Sequence, residues 1–127
     1  MSTENVPSPE RETPLDESSP FRVKRRFKLA QALTEIGYEN VKVLSAESAD
    51  RALTPTRREI INTVARHDLE SQNELAELLD RDPGNVKRDL AVLIDEGLLE
   101  REKNGNSYRP ILKYDTILSE PLPLPVE

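Results

Sequence analysis

The chain has 127 residues, of which 33% are charged and 35% are hydrophobic, and this balance suits one small domain with flexible ends. It contains no cysteine, which excludes disulfides, zinc–thiolate sites and thiol catalysis, and no apolar run approaches the roughly 20 residues of a membrane span. The formal net charge of −6 argues on its face against a nucleic-acid partner, because domains that bind DNA are often basic, but the acidic residues are unevenly spread.

The N-terminal 28 residues change abruptly from acidic to basic. Residues 1–20 are rich in Pro, Ser and Glu and lack apolar periodicity, which predicts a disordered tail without a signal peptide, so we expect a cytoplasmic protein. Residues 21–28, FRVKRRFK, hold five cations in eight positions. One interpretation is an arm that touches DNA phosphates or the minor groove, and the alternative is the charged start of a helix. The cations of such an arm would be Arg22, Lys24, Arg25 and Arg26.

Residues 21–53 are predicted to form this arm followed by a small extension of the main domain. Segment 27–36 has apolar residues at helical spacing and precedes a glycine, which predicts a helix. Segment 40–44, NVKVL, alternates and contains valines, which predicts a short strand, and segment 45–53 begins with a serine suited to cap a short helix. These elements are too small to fold alone, so we expect them to pack on the rest of the chain or on a second subunit.

The main domain is predicted over residues 54–113, and its first helix starts at Thr54-Pro55. The threonine hydroxyl suits an N-cap, and proline is favoured at the first helical position. The buried stripe of this helix is predicted to contain Ile60, Ile61, Val64 and Ala65. The only histidine, His67, is expected at the surface, and without cysteine or a second histidine the sequence predicts no metal site and no cofactor. Residues 69–70 are a candidate two-residue strand.

The stretch from Ser71 to Gly97 predicts two helices joined by a very short turn. Ser71 suits an N-cap and Glu74 follows three residues later, the pattern of a capping box. The second helix has Asp82 as its N-cap and Pro83 at its first position, and the glycine ends it. So short a connection forces a steep crossing, as in a helix-turn-helix. The apolar face of the first helix consists of Leu75, Leu78 and Leu79.

The second helix, residues 83–96, has a face opposite its apolar stripe that fits a DNA major groove. That face combines small residues for close approach, an amide that suits adenine, and basic side chains that suit guanine or phosphate. A helix N-terminus also attracts anions. The residues concerned are Gly84, Asn85, Lys87, Arg88 and Ala91. An ordinary solvated helix face is the alternative interpretation.

Residues 98–112 predict a two-stranded hairpin, because Asn104-Gly105 is a strong signal for a tight turn between strands. A hairpin directly after a recognition helix is a wing, which would contact the DNA backbone or the minor groove. The positive side chains along it are Arg101, Lys103 and Arg109, and its tip consists of Asn104, Gly105 and Asn106. A plain hairpin that completes the core is the alternative, and both can hold together.

Residues 114–127 are predicted to form a C-terminal extension. Its first part, 114–120, is a short mixed segment suited to a docking strand or helix. The end, PLPLPVE, has proline at every second position and cannot join a central strand or a helix. It is interpreted as a flexible tail, with a partner contact as the alternative.

These motifs together resemble a known family. The segments that carry the resemblance are LTPTRREII, SQNELAELL and RDPGNVKRDLAVLIDEGLLE, followed by the Asn-Gly hairpin and RPILKYD. They are similar to winged helix-turn-helix regulators of the MarR/ArsR type, and look most like the MarR-like regulators of haloarchaea and bacteria, over roughly residues 41–117. The resemblance implies sequence-specific binding of double-stranded DNA through Asn85, Lys87 and Arg88 and through the tip at 103–106. Asp89 also belongs to the motif, and we expect it to form an intramolecular salt bridge or cap.

The expected fold is mainly α with a small β-hairpin wing, an α+β winged helix-turn-helix with disordered tails at both ends. The expected function is a DNA-binding transcriptional regulator that acts as a homodimer, since one recognition helix covers only a half-site. The alternative is a winged-helix module that binds a protein, such as an antitoxin with a toxin-like partner, which the acidic net charge favours. No membrane partner is expected.

No enzymatic activity is expected either, because the sequence has no glycine-rich phosphate loop, no metal cluster and no cysteine nucleophile. The hydrophobic core is predicted from the same periodicities. Its expected members are Ile61, Val64, Leu75, Leu79, Val86, Leu90, Leu93 and Leu99.

Overall fold

The computed structural model describes residues 16–121, which form a mainly helical α+β fold with a small antiparallel hairpin. Five helices and four strands lie within this range. In chain order they are α1 (Pro20–Glu35), β1 (Val41–Leu44), α2 (Ala46–Ala52), α3 (Pro55–Arg66), α4 (Gln72–Leu79), α5 (Pro83–Asp95), β2 (Leu99–Asn104), β3 (Ser107–Leu112) and β4 (Thr116–Ser119). The disorder expected for residues 1–15 and for the proline-rich end, 122–127, lies outside the described residues.

Side-chain caps set where the helices begin. In each of the five, an oxygen on the N-cap side chain accepts a hydrogen bond from the backbone N–H three residues later. Four of these caps were predicted from the sequence and are confirmed, namely Ser45, Thr54, Ser71 and Asp82. The fifth is Ser19, which starts α1 earlier than expected.

The hydrophobic core lies between α3, α4, α5 and the hairpin. Its largest fully buried side chains are Ile60, Leu75, Val86, Leu90, Leu93, Leu98 and Leu99. Six of the eight predicted core residues are buried, namely Val64, Leu75, Val86, Leu90, Leu93 and Leu99. The prediction was wrong for Ile61 and Leu79, which are only half-buried at the edge of the core.

The stripe predicted for α3 is rotated by about one residue from the buried one. Ile60 and Val64, which are four residues apart, point into the core, while Ala65 is exposed. On α4 the buried pair is Leu75 and Ala76, and Leu78 is 49% exposed, so only part of its predicted apolar face is used. Because apolar residues are adjacent in the sequences of α3 and α4, helical periodicity did not determine which of them lie at the centre of each buried face.

The hairpin forms as predicted, with its turn one residue later. Asn104 pairs with Ser107, so the two turn residues are Gly105 and Asn106. Gly105 has φ of +65°, a backbone conformation that favours glycine and is required at the first position of one of the tight hairpin turns. Residues 69–70 do not form the predicted strand; instead, the Leu69 side chain is buried in the core.

A second, two-stranded sheet joins the N-terminal extension to the end of the domain. The predicted strand over 40–44 is confirmed as β1, and it pairs in parallel with β4, so that Val41 lies opposite Thr116 and Leu44 opposite Ser119. Glu120 continues this register, since its backbone N–H donates to the Leu44 carbonyl at 2.7 Å. Segment 114–120 therefore contains a docking strand, β4, which is one of the two alternatives that its sequence left open.

Helix α1 corrects the prediction at the N-terminal end. The basic stretch 21–28 is the first half of this helix, and its alternative interpretation as the charged start of a helix is the one observed. Ordered structure also starts before residue 20, because the Ser19 N–H donates to the Asp16 carbonyl at 2.9 Å. Helix α1 has no buried residue and packs mainly on β1.

Candidate functional site

The turn between α4 and α5 is three residues long and is fixed by hydrogen bonds. Asp80 adopts the left-handed conformation with φ of 53° and ends α4. The Arg81 N–H donates to the Ala76 carbonyl at 3.1 Å, and an Asp82 carboxylate oxygen accepts from the Asn85 N–H at 3.1 Å. The start of α5 is therefore held rigidly against α4 while Pro83 and its neighbours face solvent.

The five residues predicted to contact a major groove all lie on the exposed side of α5. They are Gly84, Asn85, Lys87, Arg88 and Ala91. A Cβ atom at Gly84 would come within 3.0 Å of the Asp82 carboxylate, so the absence of a side chain there keeps the capping carboxylate in place. Neither Lys87 nor Arg88 forms an ion pair within residues 16–121. The helix thus presents two cations without ion pairs beside the small residues Gly84 and Ala91.

Asn85 and Arg88 contact each other on this face. An Arg88 guanidinium nitrogen donates to the Asn85 side-chain oxygen, one helical turn away. This bond occupies the acceptor of the amide and leaves its Nδ2 donor free of protein partners within the described residues. The two side chains on which base recognition was predicted to depend are therefore coupled in the free chain.

Asp89 is turned away from the exposed face and forms the intramolecular salt bridge that was expected. One carboxylate oxygen is 3.1 Å from Arg57 Nε on α3, and the other is 2.7 Å from Arg81 Nη2 in the turn. All three side chains are largely buried. The pairing removes a negative charge from the candidate face and ties α3, the turn and α5 together.

These same residues line a groove beside α5. Its volume is about 490 Å³, and its walls carry Arg57, Arg81, Asn85, Arg88, Asp89, Ala91 and Val92. Sequence reasoning did not assign Arg57 or Arg81 to the site. The one available signal was the partner expected for Asp89, but nothing in the spacing identified which arginines would supply it.

The hairpin separates its charges onto two faces. Glu102 lies opposite Arg109 in the register, and Lys103 lies opposite Tyr108. Because side chains alternate along a strand, Arg101 and Lys103 share one face and Glu102 lies on the other. Arg101 and Lys103 are exposed and form no ion pair within the described part of the chain. They are the hairpin cations available to an anionic partner.

Two of the predicted hairpin contacts are engaged inside the molecule. Arg109 forms a salt bridge with Glu102, with its Nε 2.6 Å from the carboxylate, and this hydrogen bond raises the pKa of the guanidinium. Asn104 Nδ2 donates to the backbone carbonyl and to the carboxylate of Glu70, each at 3.0 Å. The predicted tip is therefore reduced to Gly105 and Asn106, which are both exposed.

The predicted N-terminal arm is largely committed to ion pairs. Arg22 binds Glu47 through two hydrogen bonds of 2.9 and 2.7 Å and binds Glu120 at 2.7 Å. Arg26 Nη2 donates to the Glu17 carbonyl at 2.6 Å, and Arg25 approaches the Glu120 carboxylate at 3.9 Å. The structure therefore leaves Lys24, alone of the four predicted arm residues, without an ion pair among the described residues.

These arginine contacts perturb the ionisation of both partners. The hydrogen bonds from Arg22 lower the pKa of the Glu47 carboxyl to about 2, and the same bonds raise the pKa of Arg22. The pKa of Glu17 is also lowered, first by its hydrogen bond from Ser45 and then by that from Arg51. Charge pairing of this kind stabilises the docking of α1 and α2, and through the contact of Arg51 with Glu96 at 3.5 Å it reaches the C-terminal end of α5, opposite to the end that carries the candidate face.

Neither a metal-binding cluster nor a membrane-spanning helix is present within residues 16–121. No group of three or more carboxylates or histidines is arranged to hold a metal ion in this range. None of the helices described is both long and apolar enough to cross a bilayer.

This geometry defines a class of protein, namely a small α+β domain in which a capped helix pair precedes a two-stranded hairpin. The chain belongs to the HVO_A0114 family, whose sequence profile matches residues 52–118. The match runs from the end of α2 into β4 and so contains the whole of the helix pair and the hairpin, but it excludes α1. No curated protein matches the chain.

Proposed function

We propose that the protein is a cytoplasmic transcriptional regulator that binds double-stranded DNA in a sequence-specific manner as a homodimer. In this proposal the fold acts as a winged helix-turn-helix of MarR-like type, with α5 in the major groove and the hairpin on the backbone or in the minor groove. The observation that carries it is the exposed face of α5, where Asn85, Lys87 and Arg88 stand on a surface otherwise made of small residues.

The local charges support the proposal despite the acidic total. Asp89 is neutralised by two arginines, so the carboxylate nearest to the middle of the α5 face is removed from it. The unpaired cations Lys87 and Arg88 lie on α5, and Arg101 and Lys103 lie on the hairpin. Each phosphate neutralised by such a side chain releases condensed counterions from DNA, which makes affinity depend on salt.

Base recognition would require the contact between Asn85 and Arg88 to open. Asn pairs with adenine through one donor and one acceptor, and Arg pairs with guanine through two donors. The mutual bond occupies the Asn85 acceptor in the free protein and is exchanged for base edges in the complex. A correct bidentate pair discriminates against the wrong base by about 1–3 kcal/mol, so these two residues would supply most of the sequence preference.

A direct test is fluorescence anisotropy with a labelled duplex from the region upstream of the protein's own gene. The titration is repeated with excess random duplex and over a series of salt concentrations. We expect binding that survives the competitor and weakens as salt rises. Arg88→Ala should weaken specific binding by about 10-fold or more, the loss of one good base contact.

The matched control for this test is Arg66→Ala. It removes the same charge from an exposed position in the last turn of α3, away from the candidate face. The control should bind nearly as the unaltered protein does. Equal losses in both variants would mean that only net charge matters, and the claim of base recognition would then fail.

A protein-binding module, such as an antitoxin for a toxin-like partner, is the competing function. The same titration separates the two, because that module needs no affinity for duplex DNA even at low salt. Absence of binding under those conditions would reject the regulator and direct the search to the product of a neighbouring gene.

A further inference from the structure

Helix α1 is the one described helix of twelve or more residues that buries none of its side chains. It spans 16 residues, or about 24 Å, and touches the rest of the molecule through β1 and a set of ion pairs. The chain has only two phenylalanines, and both lie on this helix, where Phe27 is 65% exposed and Phe21 is 58% exposed. The Arg25 guanidinium lies over the Phe21 ring at 5.2 Å from its centroid, whereas no cation covers the Phe27 ring within the described residues. Large aromatic side chains are strongly favoured in buried positions, so the exposure of Phe27 needs an explanation.

A stripe of apolar and small residues on α1 has the spacing of a helix–helix contact. Val23, Phe27, Ala30 and Thr34 follow at steps of four, three and four residues, which places them along one side of the helix. Val23 is 47% exposed. The stripe lies beside the docked face that carries Arg22 and Arg26, so docking of α1 leaves Ala30 half-buried and the other three residues of the stripe exposed.

The charges that flank the stripe are unpaired and unevenly distributed along α1. Lys24 and Lys28 lie in its N-terminal half, and Glu35 is its last residue. None of the three forms an ion pair within residues 16–121, whereas Arg22 and Arg26 on the docked face are both paired. Lys24 and Glu35 are separated by about 16 Å of helix and cannot reach each other in one chain.

We propose that this stripe is the surface on which a second copy of the chain packs, with the two α1 helices antiparallel. That orientation brings the basic half of each helix against the acidic end of the other, so Lys24 of one copy meets Glu35 of the second at both ends of the contact. It also places Phe27 of one copy against Ala30 of the other, a large residue opposite a small one, as close packing of helices requires.

The docked face explains how a helix without buried residues keeps the orientation that such a contact needs. The Glu120 carboxylate is 5% exposed and accepts from Arg22 and Arg26. These bonds anchor two successive turns of α1 to the strand that ends the domain. The proposal deepens the proposed function by assigning the surface of its homodimer, but it is tested without DNA.

The experiment is sedimentation equilibrium of the full chain over a concentration series. We expect a mass that rises from 14.4 kDa towards twice that value with concentration. Phe27→Asp should abolish the increase, and circular dichroism should show that its helix content is retained. Leu78→Asp is the matched control, since Leu78 is a similarly exposed apolar residue on α4, and it should leave association unchanged.

A charge exchange tests the antiparallel orientation itself. Lys24→Glu or Glu35→Lys alone should weaken dimerisation by about fivefold or more, since each change places like charges together at both ends of the contact. The double variant restores opposite charges and should return to within about twofold of the original dissociation constant. Failure of the double variant to recover would overturn the antiparallel arrangement.

The outcomes distinguish this surface from the proposed function. A chain that stays at its monomer mass, or a dimer that persists in Phe27→Asp, overturns the α1 interface even if DNA binding is observed. A dimer that depends on Phe27 in a chain without affinity for duplex DNA upholds the interface and rejects the regulator.

Discussion

The α4–α5 helix pair and the N-terminal helix α1 are stabilised by different physical forces. The helix pair is held by fully buried leucines and valines, including Leu75, Val86 and Leu90, whose burial depends little on pH or salt. Helix α1 has no buried residue and depends on arginine–carboxylate pairs centred on Glu120. The candidate DNA face therefore lies on helices that are held by a hydrophobic core, whereas the candidate dimer surface lies on a helix that is attached by ion pairs.

This difference bears on how the two proposed activities would respond to conditions. Protonation of carboxylates removes their ion pairs and leaves hydrophobic burial largely intact. We therefore expect the fold of the helix pair to persist under conditions in which α1 begins to separate from β1.

Leu90→Ala should have the largest effect on global stability. Leu90 is fully buried among the three core helices, so the truncation leaves a cavity and should lower the free energy of unfolding by about 2–5 kcal/mol. Urea denaturation followed by circular dichroism measures the change. Leu78→Ala, at a half-exposed position, is the control and should shift it by no more than about 0.5 kcal/mol. Equal effects would mean that the core is not where the structure places it.

Glu120→Gln should act locally on α1. The change removes the charge that accepts from Arg22 and Arg26 in a largely buried site and should cost about 1–3 kcal/mol of docking free energy. Hydrogen exchange should speed up in α1 and β4 while α4 and α5 keep their protection. Glu100→Gln, which alters an exposed carboxylate 4.0 Å from Lys113, should leave the pattern unchanged. Uniform loss of protection would contradict the separation of the two regions.

Asp89→Asn tests the link between α3, the turn and α5. It leaves the guanidinium groups of Arg57 and Arg81 without their shared carboxylate and should lower stability by about 1–2 kcal/mol. Thermal unfolding followed by circular dichroism detects the change. Asp95→Asn is its control, because Asp95 lies exposed on the same helix and forms no ion pair in the described residues. A loss of the same size in the control would show that helix charge, and not this link, is responsible.

Acidification should release α1 before it unfolds the core. The pKa of Glu47 is lowered from 4.5 to about 2 by its hydrogen bonds from Arg22, and the pKa values of Asp16 and Glu17 are lowered as well. A carboxyl with a lowered pKa in the folded state contributes stability that is complete above about pH 4.5 and is lost as the pH falls towards 2. Hydrogen exchange across this interval should show early loss in α1, and Glu47→Gln should reduce its dependence on pH.

The local elements of this chain could be predicted from the sequence, because capping residues and turn residues act on their own neighbours. Thr54-Pro55, Asp82-Pro83 and the glycine of the hairpin turn each specify backbone geometry within a few residues. The exposed side of α5 followed from helical periodicity in the same way. Helix starts and the hairpin turn could therefore be identified, because the residues that specify each of them lie close in sequence to the backbone that they shape.

The missed features depend on residues distant in the sequence. The parallel pairing of β1 with β4 joins segments more than 70 residues apart, and neither has a pattern that names the other. Arg22 could equally have bound DNA phosphate or a carboxylate, and its choice of Glu120 depends on that pairing. The same holds for Arg57 and Arg81, whose common partner lies on a third element. The order of charged residues along the sequence does not determine which of them form ion pairs.

Hydroxyl-radical footprinting of the protein on its upstream duplex would test the central claim most directly. We expect two protected half-sites whose centres are one helical turn apart, about 34–36 Å, with protection lost when Asn85 and Arg88 are both changed to alanine. Unbroken protection that is equal on random DNA, or protection that persists in that double variant, would contradict the assignment of α5 as the recognition helix.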